Sequence, residues 1–545
     1  MRHHNSEEQS ILRLVAAFCA LAGVVLWAGP TIFRADLFAD DAAQHTFWLY
    51  RYADPALLPN DLTARFFSLS STAPWGYRTL YASIAPHMDV LLAGEILAAL
   101  LFLASLALAW LIGRAVASEG HRDLGGLIGT VTLLCLIEQP SDALTTLALQ
   151  RSFALPITLL FLWGALTKRY VWIGVSWLLC ALFYPVIVVV LGLAGGIVLL
   201  LDLLRDRRLP PAFWWNAVAG VAAIAIVYAG LGTPPDIGPQ LSGREALAMP
   251  EFGDHGRLQL FFGTFSGNWI RNQLVGIGWS PATILITAAA AGLATLVNRE
   301  ARLPRVAWVL ALTGLVVWAI ARVTMFTLYL PNRHTRWSFA AFAIAAIAAG
   351  GVIVIARLTE RMQRPLLASI LVSVAAIGIA AAVLVPPSLR DWRTPVNEDM
   401  ERTYAYLATL PKDALIAAQP DIADFIPLRS HRSVLASTET SLPFMRGYYE
   451  SLRPRLEASL RAAYASSWEE MDAALAPYGV SVMVTAPGVW ENPTYYEPYD
   501  QLIAELKAHA AGRDFVLRKP SGDRVLFQSG GVYVVRVQRP ATRSE

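Results

Sequence analysis

Apolar residues along this chain come in long, nearly unbroken runs rather than in the rhythm of a helix with one wet face. The runs lie near 12–33, 88–112, 124–138, 152–167, 170–184, 185–204, 213–231, 280–297, 306–330, 338–356 and 365–385. A helix rises about 1.5 Å per residue, so roughly 20 apolar residues cross the hydrocarbon core of a bilayer. The pattern predicts a polytopic α-helical membrane bundle of about eleven transmembrane helices. The first run follows Arg2 and Arg13 and is succeeded by Gly29-Pro30-Thr31-Ile32-Phe33-Arg34, with no small-residue cleavage site. It reads as an uncleaved first span. The stretch 170–204 admits two readings: one long re-entrant unit, or two spans hinged at Tyr184-Pro185, where proline removes a backbone donor.

Basic residues between the runs choose between those readings. They cluster at Arg2 and Arg13, at Arg114 and Arg122, at Lys168 and Arg169, and at Arg205, Arg207 and Arg208. They recur at Arg299, Arg302 and Arg305 and at Arg357, Arg361 and Arg364. With eleven spans all six clusters share one face, and merging 170–204 into one span would split them. Short basic loops stay cytoplasmic. The expected protein is therefore multi-pass in a bacterial-type inner (plasma) membrane, with a cytoplasmic N-terminus and an extracytoplasmic C-terminus. The transmembrane domain covers 1–385, with large external loops at 34–87 and 232–279. Residues 386–545 form an extracytoplasmic α/β domain.

That tail changes character. Helices are expected over 396–410, 443–466, 467–478 and 496–511, with Ser467 as an N-cap ahead of Glu469 and Glu470. Strands are expected at 414–419, 433–437, 480–485, 515–518, 524–528 and 532–537, the last two joined through Ser529-Gly530-Gly531 as a hairpin. The tail contains no GxGxxG, P-loop or GxSxG string and no metal-ligand spacing.

Composition agrees with lipid as the solvent: 55 % of residues are hydrophobic, 16 % are charged, and mean hydropathy is +0.46. A soluble domain carries about 25 % charged residues. The net charge is only +3 and no basic block points to nucleic acid. Cys19, Cys135 and Cys180 lie within apolar runs, which argues against a disulfide framework.

Candidate chemistry gathers at membrane edges. Asp40 and Asp41 open the first large loop, where a carboxylate serves as general base, binds a divalent cation, or caps the following helix. Trp75, Tyr77 and Tyr81 later in that loop suit interfacial anchors. Glu138 and Arg151 flank the external turn between the third and fourth spans. Leu330-Pro331-Asn332-Arg333-His334-Thr335-Arg336-Trp337 places two arginines and a histidine in a short external turn, against the usual charge bias. Guanidinium forks match phosphate oxygens, so a lipid-linked phosphate is a natural ligand for Arg333, His334 and Arg336. An ordinary anionic headgroup, or an ion pair with Asp40, Asp41 or the tail, satisfies them equally. Glu95 and Arg322 sit deep in the second and ninth spans as packing pairs. Glu251, Asp254, His255 and Arg257 read as a solvated polar loop. Trp490, Asn492, Tyr495, Tyr496 and Tyr499 read as packing, with sugar stacking as the other possibility.

The layout resembles the GT-C class of polytopic membrane glycosyltransferases. The features that carry it are the acidic pair Asp40-Asp41 after the first span, the aromatic–proline break Leu182-Phe183-Tyr184-Pro185, and the late turn Leu330-Pro331-Asn332-Arg333. The resemblance covers residues 11 to about 385 and, more loosely, the tail. It implies inverting transfer of a sugar from a polyprenyl-phosphate donor on the external face. Asp40 or Asp41 would be the base or would help hold a divalent cation, and Arg333 and Arg336 would hold the donor phosphate. The sequon-reading motifs of oligosaccharyltransferases have no match, which leaves the acceptor open. A non-catalytic or transport protein handling lipid-linked glycans is the alternative. The absence of a clear internal repeat and the scarcity of deep charges weigh against a transporter.

Overall fold

The computed structural model describes residues 2–33, 41–69, 71–137, 147–232, 237–238, 240–259, 274, 280–297, 300–362, 365–389, 397–487, 490, 495–510 and 512–538. Asp40 and Glu138 lie outside the described residues. Apolar helices occupy each of the expected runs. Seven are long and apolar enough to cross a membrane: Glu7–Phe33, Val90–Val116, Pro185–Asp206, Phe213–Gly230, Arg305–Val323, Asn332–Arg361 and Leu366–Val385. The other expected spans correspond to shorter helices, Arg122–Leu136, Ala154–Leu166, Val171–Phe183 and Pro281–Leu296.

The ambiguous stretch is a hairpin of two helices. Val171–Phe183 stops at Tyr184, a short turn Pro185–Ile187 follows, and Val188–Asp206 runs back. The indole Nε1 of Trp177 donates to the Leu191 carbonyl at 2.9 Å. A Cβ on Gly195 would meet Trp177 and Ile173, and the Tyr170 hydroxyl bonds Asp202. These pairings are centred within two residues of Tyr184, as antiparallel packing requires.

The 31-residue helix Asn332–Met362 is the axis of the bundle. Of its most apolar window 72 % is buried, against at most 44 % for the other long helices. Its buried face is a run of alanines, including Ala341, Ala343, Ala345, Ala346, Ala348 and Ala349, which lets neighbours approach closely. Two expected boundaries move. The ninth helix ends at Val323, not near 330, because Met325 and Phe326 pack on Leu241, Ala246, Phe252 and Phe444 rather than on lipid. The tenth begins at Asn332, so Arg333, His334 and Arg336 occupy its first turns instead of a free loop.

The two faces of the bundle are distinct. On one, buried Asp123 receives Arg13 at 2.8 Å and Arg114 at 3.3 Å, and the Ser118 amide donates to the Glu300 carbonyl at 2.9 Å. The other carries the first loop, the 237–259 segment and the tail. The tail holds a five-stranded sheet of order β2-β1-β3-β5-β4: β1 Leu415–Ala418, β2 Ser433–Val434, β3 Val482–Thr485, β4 Val525–Ser529 and β5 Val532–Arg536. β1 runs parallel to β2 and β3; β3–β5 and β4–β5 are antiparallel. Alternate residues feed two cores. Leu415, Ala417 and Met483 face one, and Ile416, Ala418, Val482 and Val484 face the other. The hairpin turns at Gly530 with φ +55, and Asp399 fills the space a side chain would need. Residues 515–518, expected as a strand, form a turn ending with the Arg518 amide on the Phe515 carbonyl at 3.0 Å. Their side chains cap the core instead, with Leu517 fully buried.

Two loop segments bind the tail to the bundle. Asp61 caps Leu62–Phe67 by accepting from the Ala64 amide at 2.7 Å, and its second oxygen accepts from the Val434 amide of edge strand β2 at 3.0 Å. Phe66 stacks on Tyr448 at 4.0 Å. Arg257 donates to the carbonyls of Thr438, Ser441 and Glu439 and pairs with the Glu439 carboxylate at 2.9 Å. Buried Glu251 accepts from Tyr449 at 2.8 Å, and Tyr449 in turn meets Tyr499 at 2.7 Å. Glu251 and Arg257 therefore belong to an interface, whereas Asp254 and His255 are exposed as a solvated loop expects. Tyr499 packs within that interface, as the packing reading of the tail aromatics expects.

Val90–Val116 and Arg122–Leu136 touch through glycines: a Cβ on Gly113 would lie 2.0 Å from the Gly125 carbonyl oxygen. Gly113→Ala should lower the apparent Tm in detergent, by an overpacking cost of about 1–3 kcal/mol. Gly192→Ala, where nothing lies within 4 Å, should be neutral or slightly stabilising. Equal melting of both variants would show that this contact does not limit stability.

Candidate functional site

Three helix or loop ends on the tail-bearing face contribute charged side chains to one place. Asp41 stands at the start of the short helix Ala42–His45 in the first loop. Arg151 lies in the turn Gln150–Phe153 that leads into Ala154–Leu166. Arg333 and Arg336 belong to the first turns of the axial helix. Tyr184 is the hinge of the 171–206 hairpin, and Tyr329 closes the turn before the axial helix with φ +63. The Arg151 guanidinium forms an ion pair with Asp41, each about one-fifth exposed. Arg333 and Arg336 are near enough to Arg151 to repel its charge, while Tyr184 and Tyr329 lie within reach of it. Burial and this repulsion together bring Arg151 down to about 10.

His45 joins the cluster from one turn beyond Asp41, its amide donating to the Asp41 carbonyl at 3.1 Å. Its ring stands edge-on to Phe67 at 5.7 Å. Burial, helped by the charge of Arg333, lowers the imidazole to about 4, so it is neutral near pH 7. It offers the site one donor and one acceptor without adding charge.

Of the residues expected from the sequence, Asp41, Arg151, Arg333 and Arg336 come together. His334 follows a different path: its ring is buried and Nε2 donates to the Leu328 carbonyl at 2.8 Å, tying down the turn before the axial helix. Three guanidiniums and one carboxylate are gathered here. The Nε atoms of Arg151 and Arg333 are buried without a hydrogen-bond partner among the described residues. Arg336 lies 4.8 Å over the Trp337 ring, which positions its guanidinium from one side. The site also sits at the amino end of a long helix, whose dipole favours an anion. The residues missed here as site members are His45, Tyr184 and Tyr329. The sequence marks Tyr184 only as the hinge before Pro185, and Tyr329 has no mark beyond its aromatic character, in a chain with 18 tyrosines.

Carboxylates here could orient a hydroxyl or a cation. No group of three or more His, Cys, Asp or Glu side chains with metal-holding geometry occurs among the described residues.

No protein-family model matches this sequence, and no curated protein matches it. Among solved structures, the chain is similar to the archaeal oligosaccharyltransferase AglB from Archaeoglobus fulgidus in complex with an inhibitory peptide and a dolichol-phosphate. That likeness has TM-score 0.48 and 11 % identity over 88 % of this chain and 70 % of that one. It is also similar to ArnT from Cupriavidus metallidurans bound to undecaprenyl phosphate, at TM-score 0.48 and 12 % identity over 96 % and 97 % of the two chains. Both are glycosyltransferases of the GT-C class, the class whose layout the sequence resembles.

A buried neutral His45 links stability to pH. The unfolded chain holds this proton up to about 6.5, whereas the folded site releases it above about 4. The unfolded state therefore binds more protons in that window, so stability should fall as pH drops from 6.5 to 4. His45→Gln should flatten this part of the pH–Tm curve. An unchanged slope would place the titrating group elsewhere.

Proposed function

We propose that this chain is a membrane glycosyltransferase that takes a sugar from a polyprenyl-phosphate donor at its tail-bearing face. The observation that carries the reading is the meeting of Asp41 with Arg151, Arg333 and Arg336, drawn from three separate parts of the chain, at the amino end of the axial helix. Three guanidiniums gathered at the amino end of a long helix suit a phosphate whose lipid chain remains in the bilayer.

In the proposed reaction a carboxylate removes the proton of the acceptor hydroxyl. The oxygen attacks the anomeric carbon, and the bond from that carbon to the phosphate oxygen breaks with inversion. The leaving lipid phosphate gains negative charge, and Arg333 and Arg336 stabilise it. Arg151 has a further part. In the unliganded arrangement it holds Asp41, and an arriving phosphate competes for the same guanidinium. Donor binding would then loosen Asp41 and turn it toward the acceptor. Asp40 is the other candidate base. Where a divalent cation takes part, Asp41 would help hold it, and it would supply positive charge to offset the developing charge on the phosphate. The acceptor is a hydroxyl-bearing envelope molecule, approaching between the first loop and the tail.

Arg333→Ala and Arg336→Ala should each weaken donor binding by roughly 10- to 100-fold, the cost of one charge-assisted hydrogen bond. Asp41→Asn should leave donor binding within about threefold and lower turnover by roughly 100-fold or more. Sugar transfer from a radiolabelled polyprenyl-phosphate donor, with donor affinity measured in parallel, reads both quantities. Undiminished donor affinity in the arginine variants would remove the phosphate role. Undiminished turnover in Asp41→Asn would remove Asp41 as base.

A further inference from the structure

On the tail-bearing face, beside the end of helix Arg305–Val323, lies an open cavity of about 710 Å³. Its walls include Arg244 and Leu247 from the loop and Arg322, Val323, Thr324 and Thr327 from the helix end and the turn after it. The helix leading into it exposes Leu312, Val316, Ile320 and Val323. Those positions form one stripe at helical spacing, so the stripe faces lipid. Leu315 and Arg322, seven residues apart, lie along the edge of that stripe, and Arg322 comes in the last turn. A guanidinium at the end of a lipid-facing stripe stands at headgroup level.

The charges in the cavity do not cancel. Glu245 is engaged by Arg446 at 2.7 Å and by its capping box with Ser242. Arg244 is exposed and has neither an ion pair nor a hydrogen bond among the described residues. The turn that follows the helix separates this cavity from the Asp41 cluster. Met325 and Thr327 line the cavity, whereas Tyr329, two residues on, lies beside Arg333 and Arg151.

The geometry points to a second lipid site: the cavity holds the phosphate-bearing headgroup of an anionic phospholipid from the adjacent leaflet. The acyl chains lie along Val316, Ile320 and Val323, and Arg244 and Arg322 take the phosphate oxygens. The threonine hydroxyls of Thr324 and Thr327 are placed to donate to the same headgroup. This inference does not depend on the transferase reading, because it concerns residues outside the Asp41 cluster.

Native mass spectrometry of the full chain in detergent, with phosphatidylglycerol or phosphatidylcholine added at equal concentration, tests it. Phosphatidylglycerol should be retained in preference. Arg244→Glu should reduce its retention by about fivefold or more, since each basic residue near a headgroup contributes about that factor. Arg244 is exposed, so this variant should fold, with an unchanged melting temperature as the check. Arg333→Ala should leave phosphatidylglycerol retention unchanged, and free glycerol phosphate should not displace the lipid. Equal retention of the two lipids, or full retention by Arg244→Glu, overturns the proposal. So does a loss in Arg333→Ala as large as that in Arg244→Glu, which would put the lipid at the other site. Full displacement by glycerol phosphate would overturn the part assigned to the acyl chains.

Discussion

Everything distinctive about the loop face depends on guanidiniums brought together at the edge of a low-dielectric bundle. Arg151 and Asp41 neutralise each other across 110 residues of chain. Arg333 and Arg336 then bring further positive charge to the same place. Burial first, and then the charges of Arg333 and Arg336, lower Arg151. Such an arrangement persists where the bundle forces it and where an anion completes it. Here the force is the axial helix, whose alanine-lined flanks seat it at the centre of the bundle and so carry Arg333 and Arg336 to a central position.

The tail serves this arrangement from above. Asp61 spends one oxygen on a helix cap of the first loop and the other on the edge of the sheet. The same carboxylate thereby ends a helix and protects an edge strand from unpaired exposure. Arg257 does the corresponding task for the second loop, with carbonyls of the segment after β2 wrapped around one guanidinium. Through these contacts the first loop, which carries Asp41 and His45, is held between bundle and sheet. Residues remote from the cluster, Tyr448 and Glu251 among them, therefore help set its position without touching it.

Much of the architecture was legible in the chain. The apolar runs located the helices, and the six basic clusters demanded two helices across Tyr184-Pro185, where the structure has a hairpin. Alternation of Val480–Thr485 and the Ser529-Gly530-Gly531 turn placed β3 and the β4–β5 hairpin. Asp41, Arg151, Arg333 and Arg336 stood out individually, because charged residues at membrane edges are scarce. Hydropathy does not distinguish burial in lipid from burial in protein, so Met325 and Phe326 looked like a continuing span although they pack on Phe252 and Phe444. Residues 515–518 read as a strand because a short apolar run buried by a turn has the same local composition.

What the sequence determined alone was where the apolar helices lie and the inventory of charges, since these follow from local composition and the length needed to cross lipid. Which charges meet was decided only by the tertiary structure. Asp41 chose Arg151, His334 turned to a carbonyl, and Arg322 faced a separate cavity. Pairing energies fall off within a few ångströms, and those distances are set by how helices pack rather than by how residues follow one another.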